Sequence, residues 1–99
     1  MKRIHIIVTG TVTGVGFRWW LKMEAEKRNI HGFVKNRTED EVEALLLGHE
    51  KDVEDVVRLC RKGPTSSKVK SIKIEDYQQE YTKKSFDILQ EWKINDNQN

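Results

Sequence analysis

The chain begins with an alternating pattern, followed by a glycine-rich segment and then by a helical pattern. Residues 3–9 alternate apolar and other side chains in a run rich in β-branched residues, which predicts a strand. Residues 10–16 contain three glycines in seven positions and predict a loop. Residues 17–28 contain strong helix formers without Gly or Pro and predict the first helix. Its positions near helical spacing are Phe17, Trp20/Leu21, Met23/Glu24 and Ala25.

The rest of the chain predicts a hairpin, a second helix and two further strands. The second helix shows an apolar stripe from Val53 to Cys60, at positions i, i+3, i+4 and i+7. Asp52 is its expected N-cap, and Gly63-Pro64 is its expected end. The predicted strands lie at 30–36 and 42–47, around the polar turn 37–41, and at 69–74 and 85–89.

This order of elements, β-α-β-β-α-β with an extra short strand, predicts an α+β fold. It is typical of the ferredoxin-like split-βαβ sandwich, in which two helices pack on one face of an antiparallel sheet, here of four to five strands. We expect one domain over residues 1–90 and a polar tail over residues 91–99. In such a sheet the third strand lies between the first and second. The glycine loop and Asn36 therefore meet at one edge, about 10 Å apart.

Composition excludes several classes of protein. The single cysteine, Cys60, excludes an intramolecular disulfide framework and a multi-cysteine metal cluster. No apolar run is long enough for a signal peptide or a membrane span, so a cytoplasmic protein is expected. The net charge of +2 hides an asymmetry, because residues 1–37 hold eight Lys/Arg against two Asp/Glu. This excess favours an anionic partner and a solvated basic surface about equally.

The glycine-rich segment is a candidate anion site because it connects a strand to the start of a helix. Its glycines let backbone N–H groups approach an anion, and the helix N-terminus adds the positive end of its dipole. Arg18 adds a guanidinium fork in the first helical turn. The Walker and dinucleotide-binding patterns do not fit, because no lysine follows in the loop and the glycine spacing differs. From the loop alone, a tight turn beside an exposed arginine explains the pattern equally well.

Two segments resemble the signatures of the acylphosphatase family. The first is Gly10-Thr11-Val12-Thr13-Gly14-Val15-Gly16-Phe17-Arg18, against the family's Gly-x-Val-Gln-Gly-Val-x-Phe-Arg. The second is Gly32-Phe33-Val34-Lys35-Asn36, followed at the expected distances by Val42 and Gly48. The similarity runs from about Ile4 to Leu89, which is nearly the whole chain.

The resemblance implies an enzyme that hydrolyses the carboxyl-phosphate bond of small acyl phosphates without a metal or cofactor. It implies that Arg18 and loop amides bind the phosphoryl group and that Asn36 orients the attacking water. Because an acyl phosphate has a good leaving group, positioning and charge stabilisation supply much of the acceleration. The expected state is a monomer without nucleic-acid or membrane partners. The amides implied in phosphate binding are those of Thr11, Val12, Thr13, Gly14, Val15, Gly16 and Phe17.

Two positions depart from the family's pattern. Thr13 stands where the first signature usually has Gln, and this shorter side chain bears on how firmly the loop is held. Asp40 stands where the second signature has Gly, in the turn between the second and third strands, and Asp tolerates a left-handed backbone better than most residues. These departures keep open a second interpretation, a domain that binds an anion but turns over weakly or not at all.

The remaining candidates for chemistry favour structural roles. Cys60 lies on the apolar stripe and predicts a core thiol, and the acidic residues from Glu39 to Glu43 predict a solvated surface. His5, His31 and His49 show no zinc-ligand spacing.

An RNA-binding module is the rival from another class, since split-βαβ sheets also bind RNA through open-face aromatic residues. On the first strand that face carries Arg3, His5, Ile7 and Thr9, none of which is aromatic. Trp19 and Trp20 are assigned neither to the core nor to the rim of the site.

Overall fold

The computed structural model describes residues 1–89, so the predicted tail at 91–99 lies outside the described residues. Within this range the elements follow the predicted order. No helix of residues 1–89 combines the length and apolarity needed to cross a bilayer. The elements are β1 (Lys2–Thr11), α1 (Phe17–Lys27), β2 (His31–Thr38), β3 (Glu41–Gly48), α2 (Glu50–Lys62), β4 (Lys68–Asp76) and β5 (Phe86–Ile88).

The five strands form one sheet in the order β4-β1-β3-β2-β5. Neighbours from β4 to β2 run antiparallel, so β1 and β2 share a direction with β3 between them. The predicted split-βαβ sandwich is therefore confirmed. β5 differs from its neighbours because it pairs in parallel with β2, which makes the sheet mixed rather than wholly antiparallel. This pairing arises because the connection 77–85 carries the chain from one edge of the sheet to the other.

Both helices pack against one hydrophobic core on the sheet. The stripe predicted for α2 is confirmed, because all four of its residues are buried. In α1 the buried residues recur every fourth position, and Met23 lies off that stripe and is exposed. The buried helix residues are Phe17, Leu21 and Ala25 of α1 and Val53, Val56, Val57 and Cys60 of α2.

The start of α2 differs from the prediction. The helix begins at Glu50 with His49 as N-cap, so Asp52 lies inside the first turn instead of capping it. There Glu50 and Asp52 place negative charge at the positive end of the helix dipole. Gly63 follows the last helical residue with a φ of 74°, which confirms the predicted end.

The β2–β3 hairpin is longer than predicted, because its ladder continues through Thr38 and resumes at Glu41. Only Glu39 and Asp40 remain between the two strands. The pairing register shifts between Asn36 and Thr38, as in a β-bulge. The short turn places its backbone carbonyls beside the loop that follows β1.

The connection 77–85 covers part of the sheet face opposite the helices. The Tyr77 N–H donates to the Arg3 carbonyl at 3.1 Å, and the Tyr81 hydroxyl donates to the Gly32 carbonyl at 3.4 Å. The Tyr81 ring centroid lies 6.2 Å from that of Phe33. Phe33, an aromatic residue on this face of β2, thus already contacts another aromatic ring of the chain. RNA-binding sheets instead present such rings to bases.

Candidate active site

The loop between β1 and α1 contains two glycines in a left-handed conformation. Gly14 has a φ of 72° and Gly16 a φ of 80°, values that residues with a Cβ adopt only at a cost. Such a loop turns successive N–H groups toward one side, which is the geometry of a backbone anion nest. A Cβ at either position would meet nothing within 4 Å, so backbone conformation rather than space requires glycine.

Buried apolar side chains fix both ends of this loop. Val12 and Phe17 are each 1% exposed, and Val15 packs partly buried against the same core. Because these three side chains point into the core, the intervening backbone is held at the surface in a defined position.

The two departures from the family's pattern both take part in holding the loop. The Thr13 hydroxyl donates to the Glu39 carbonyl at 2.6 Å, and the Gly10 N–H donates to the Asp40 carbonyl at 2.9 Å. Within residues 1–89, Asn29 is the only non-glycine residue with a positive φ. Asp40 therefore does not adopt the left-handed conformation that it was expected to tolerate, and the aspartate fits this turn without strain.

The first turn of α1 leaves the positive end of its dipole without an acidic side chain. Gly16 is the N-cap and makes no side-chain capping bond in the described part of the chain. The Trp20 N–H makes the first intrahelical bond, to the Gly16 carbonyl at 2.9 Å. Amides before this bond have no intrahelical acceptor. The nest of the loop and the helix N-terminus thus both favour an anion at this point.

Arg18 lines a cavity of about 170 Å³ beside the loop. Among the described residues that line it, Arg18 alone is charged. The lining of the cavity therefore combines one arginine with two glycines and four apolar residues. Its lining consists of Val12, Gly14, Gly16, Phe17, Arg18, Trp19 and Ile88.

Asn36 is buried, with 6% of its surface exposed, and its Oδ1 atom has no hydrogen-bond partner among residues 1–89. Asn36 pairs with Val42 of β3, which pairs with Val8 of β1, so two strand spacings of about 10 Å in total separate Asn36 from β1. On its other side, β5 places Ile88 opposite Val34, about 7 Å along β2 from Asn36. The strand order thus places Asn36 two strands from β1, level with Val8, and Asn36 is not among the residues that line the cavity.

The predicted phosphate-binding residues fall into two groups. The structure brings five of the predicted site residues, Val12, Gly14, Gly16, Phe17 and Arg18, into the lining of one cavity. The other three predicted loop residues do not line the cavity: Thr11 pairs with Lys68 in the sheet, the Thr13 side chain bonds to the hairpin turn, and the Val15 side chain packs on the core.

Two lining residues, Trp19 and Ile88, are not among the predicted site residues. Trp19 is 60% exposed, whereas Trp20 packs edge-on against Phe17 with ring centroids 5.3 Å apart. On a helical projection with Phe17 in the core, Trp20 lies on the side of Phe17 and Trp19 does not. The sequence alone therefore distinguishes the two tryptophans. Ile88 reaches the cavity only through the parallel pairing of β5, which local sequence does not reveal.

Much of the positive charge in residues 1–37 is paired outside the cavity. Lys22 bonds to Glu26 and Arg28 to Glu24, each at 2.9 Å. The hydrogen bond from Arg28 lowers the pKa of the Glu24 carboxyl below its ordinary value. The excess positive charge of residues 1–37 thus lies largely on the surfaces of helices and strands. Arg18 is the residue of this group that lines the cavity.

The histidines and acidic residues do not form a metal centre in the described range. No group of three or more His, Cys, Asp or Glu side chains there is arranged to hold an ion. His5 lies on the open face of the sheet, where its Nε2 is 2.8 Å from the Glu43 Oε2 atom. Within the described range His5 thus contacts one carboxylate and belongs to no metal-ligand cluster.

We expect Cys60 to be unreactive in the folded protein. Burial in α2 raises the pKa of its thiol to about 12, and the thiolate is the form that reacts. Native protein at mildly alkaline pH should release almost no chromophore from Ellman's reagent. The same protein unfolded in guanidinium chloride should release one equivalent per chain. Rapid stoichiometric reaction of the folded protein would show that Cys60 is accessible.

The glycines should differ in their tolerance of alanine. Gly14→Ala meets only an unfavourable φ, and we expect a loss of about 1–2 kcal/mol in the free energy of unfolding. Gly10→Ala also drives a Cβ into the Lys68 carbonyl, so its expected loss is about 3 kcal/mol or more. Urea denaturation measures both values. Equal losses for the two variants would contradict the close approach of β4 at Gly10.

Comparison with known sequences places this architecture in one family. The sequence profile of the acylphosphatase family matches residues 4–88. An acylphosphatase of Rhodopseudomonas palustris is 39% identical over 90 residues, covering 86% of this chain and 91% of its own length. One of Chlorobaculum tepidum is 39% identical over 88 residues, covering 89% and 96%.

A solved structure agrees with the sequence comparison. The crystal structure of the acylphosphatase from Bacillus subtilis superimposes with a TM-score of 0.84 at 38% identity, covering 90% of this chain and 99% of that one. The similarity therefore extends through all the elements that build the cavity.

Proposed function

The chain belongs to the acylphosphatase family, and from this premise we propose that it hydrolyses small acyl phosphates to a carboxylate and inorganic phosphate. The observation that carries the proposal is the buried Oδ1 of Asn36, which has no partner within residues 1–89, near a loop built for an anion. An unpartnered buried acceptor costs stability. A protein retains such an atom at a site where a ligand or water donates to it.

The phosphoryl group is held by the loop and by Arg18. Amides of the segment from Gly14 to the first turn of α1, in which Gly14, Gly16, Phe17 and Arg18 line the cavity, donate to the phosphoryl oxygens, and the guanidinium donates two parallel hydrogen bonds to them. These donors are fixed before the substrate arrives, because Val12 and Phe17 anchor the loop in the core. Donors that need no rearrangement stabilise charge as it develops in the transition state.

Asn36 orients the water that attacks phosphorus. Its Oδ1 accepts a hydrogen bond from the water and leaves a water lone pair directed at the phosphoryl group. A new bond forms between water oxygen and phosphorus, while the bond from phosphorus to the bridging oxygen breaks and its electron pair leaves with the carboxylate. The water's protons end on the phosphate product and on solvent. The carboxylate is a stable leaving group, so no covalent enzyme intermediate is required.

The reaction is tested by following the loss of acetyl phosphate and the release of inorganic phosphate by the purified full chain. We expect turnover that is unchanged by EDTA, since no metal takes part in the proposed steps. If the protein is inactive but inorganic phosphate still raises its melting temperature, it binds anions without catalysis, which is the second interpretation. Turnover that EDTA abolishes would contradict the proposed mechanism.

A further inference from the structure

The edge strand β4 has a free side. In the described part of the chain β4 pairs with β1 alone, so no strand of residues 1–89 covers the backbone N–H and C=O groups of its outer edge. A free strand edge is a template for pairing with a strand of another chain. The other edge strand, β5, has three residues and β4 has nine, so β4 offers the longer template.

The two halves of β4 differ in how strongly they resist such pairing. In the first half, the register with β1 shifts and leaves Lys70 without a partner in the ladder, as in a β-bulge. Lys68 is a second lysine of this half, and lysines and bulges on an edge strand discourage pairing with another chain. The second half, residues 72–76, pairs with β1 in an uninterrupted register. We call residues 72–76 the edge segment, and this is the half at which a further strand can add.

The edge segment carries exposed apolar surface. Ile74 faces the helix side of the sheet, because its partner in β1 is the buried Ile6, yet 42% of the surface of Ile74 is exposed. It lines a groove of about 370 Å³, to which α2 contributes the buried Val53 and Val57. An exposed apolar side chain beside a free strand edge is typical of a surface that contacts another chain.

Charge restricts the registers in which two copies of the edge segment can pair. An antiparallel pair about a two-fold axis normal to the sheet places one residue opposite its own copy. A pair centred on Lys73 or on Glu75 places like charges directly opposite each other, which is destabilising. A pair centred on Ile72 extends into the bulge at Lys70. A pair centred on Ile74 avoids both, because it places Lys73 of each copy opposite Glu75 of the other.

We propose that two copies of the chain pair antiparallel through the edge segment, with Ile74 at the two-fold axis, so that their sheets join into one sheet of ten strands. Lys73 and Glu75 lie 3.5 Å apart on the open face of one chain, and each then also faces the opposite charge of the second copy. Ile74 of each copy covers that of the other on the helix side. This pairing does not rest on the proposed hydrolysis, because it is measured without a substrate.

The expected affinity is low, because the interface is small. Five residues of β4 from each copy bury less than the roughly 1,200–2,000 Å² of a standard interface. We therefore expect a dissociation constant between about 10 µM and 1 mM, so that the chain is a monomer at the concentrations of enzyme assays. The edge segment shares no residue with the lining of the cavity beside Arg18, so association should leave hydrolysis unchanged.

Two variants locate the two-fold axis. Residues opposite each other in antiparallel strands have Cα atoms about 4.5–5.5 Å apart, a distance that a disulfide spans. Ile74→Cys should therefore form a disulfide-linked dimer under mild oxidation. Ser71→Cys, at an exposed position of the same strand, lies about 20 Å from its copy in this register and should stay largely unlinked. Cys60 is buried and does not compete. Equal linkage of the two variants would overturn the proposed pairing.

Sedimentation equilibrium of the full chain, up to about 2 mM, tests the association and its charges. Lys73→Glu and Glu75→Lys each place like charges opposite each other at both pairs, so each should weaken association by about tenfold or more. The double variant exchanges the two charges and should restore the wild-type dissociation constant within about twofold. Circular dichroism checks that each variant is folded. A wild type that stays monomeric throughout, or a double variant as weak as either single one, would overturn the proposal.

Discussion

Arg18→Ala should lower kcat/KM for acyl phosphates by at least about 100- to 1,000-fold, or about 3–4 kcal/mol. Arg18 is the only charged residue among the described residues lining the cavity, so its removal leaves the developing phosphoryl charge to backbone amides alone. Inorganic phosphate should also lose most of its competitive inhibition. Steady-state kinetics with acetyl phosphate and with benzoyl phosphate measure both effects.

Two variants show whether this loss belongs to the guanidinium itself. Arg18→Lys keeps the charge but not the two-pronged donor geometry, so it should recover only part of the activity. Arg58→Ala removes the same charge from α2, where Arg58 bonds to Asp55 away from the cavity, and should change kcat/KM less than about twofold. Wild-type activity in Arg18→Ala would refute the assignment of the phosphoryl site.

Asn36→Ala should lower kcat by about 100-fold or more with little change in KM. The amide is assigned to the attacking water and not to the phosphate, so its loss affects the transition state more than substrate binding. Single-turnover hydrolysis with excess protein measures the chemical step directly. A rise in KM at constant kcat would instead assign Asn36 to substrate binding.

The stability of an Asn36 variant separates a functional group from a structural one. Asn36→Leu replaces the amide by an apolar group of similar shape and removes the unpartnered buried Oδ1 atom. We expect its free energy of unfolding to equal or exceed that of the wild type while activity is lost. Val56→Ala, a cavity-forming change in α2, should show the reverse, with lower stability and near wild-type kcat. A large loss of stability in Asn36→Leu would assign the side chain to the fold.

Local patterns sufficed for most of the fold. The period-two pattern of β1 and the stripe from Val53 to Cys60 depend only on which side of an element faces the core, and both appear in the structure. The parallel pairing of β5 depends on where a long connection crosses the sheet, which is a tertiary property. The predicted N-cap of α2 is wrong because an acidic residue such as Asp52 is favourable both as the N-cap and inside the first turn, so the sequence does not distinguish the two positions.

The sequence predicts those parts of the candidate site that come from one continuous segment. It does not predict those that depend on contacts between distant segments. Gly14, Gly16 and Arg18 stand together in sequence and line one cavity, whereas Asn36, two strands from β1, is not among the residues that line it. The unpartnered Oδ1 of Asn36 and the place of Ile88 in the cavity wall depend on packing and register that no single segment encodes. Thr13 shows the same limit, because its shorter side chain still reaches the Glu39 carbonyl across the hairpin turn.

The most direct test of the central claim is the fate of the water oxygen. The proposed geometry holds the phosphoryl group at the loop and directs the water bound by Asn36 at phosphorus. Hydrolysis of acetyl phosphate by the wild-type protein in water enriched in the heavy oxygen isotope should therefore label the inorganic phosphate, read by mass spectrometry, and leave the acetate unlabelled. Label in the acetate would mean that water attacks the carbonyl carbon, and it would contradict the assignment of both Arg18 and Asn36.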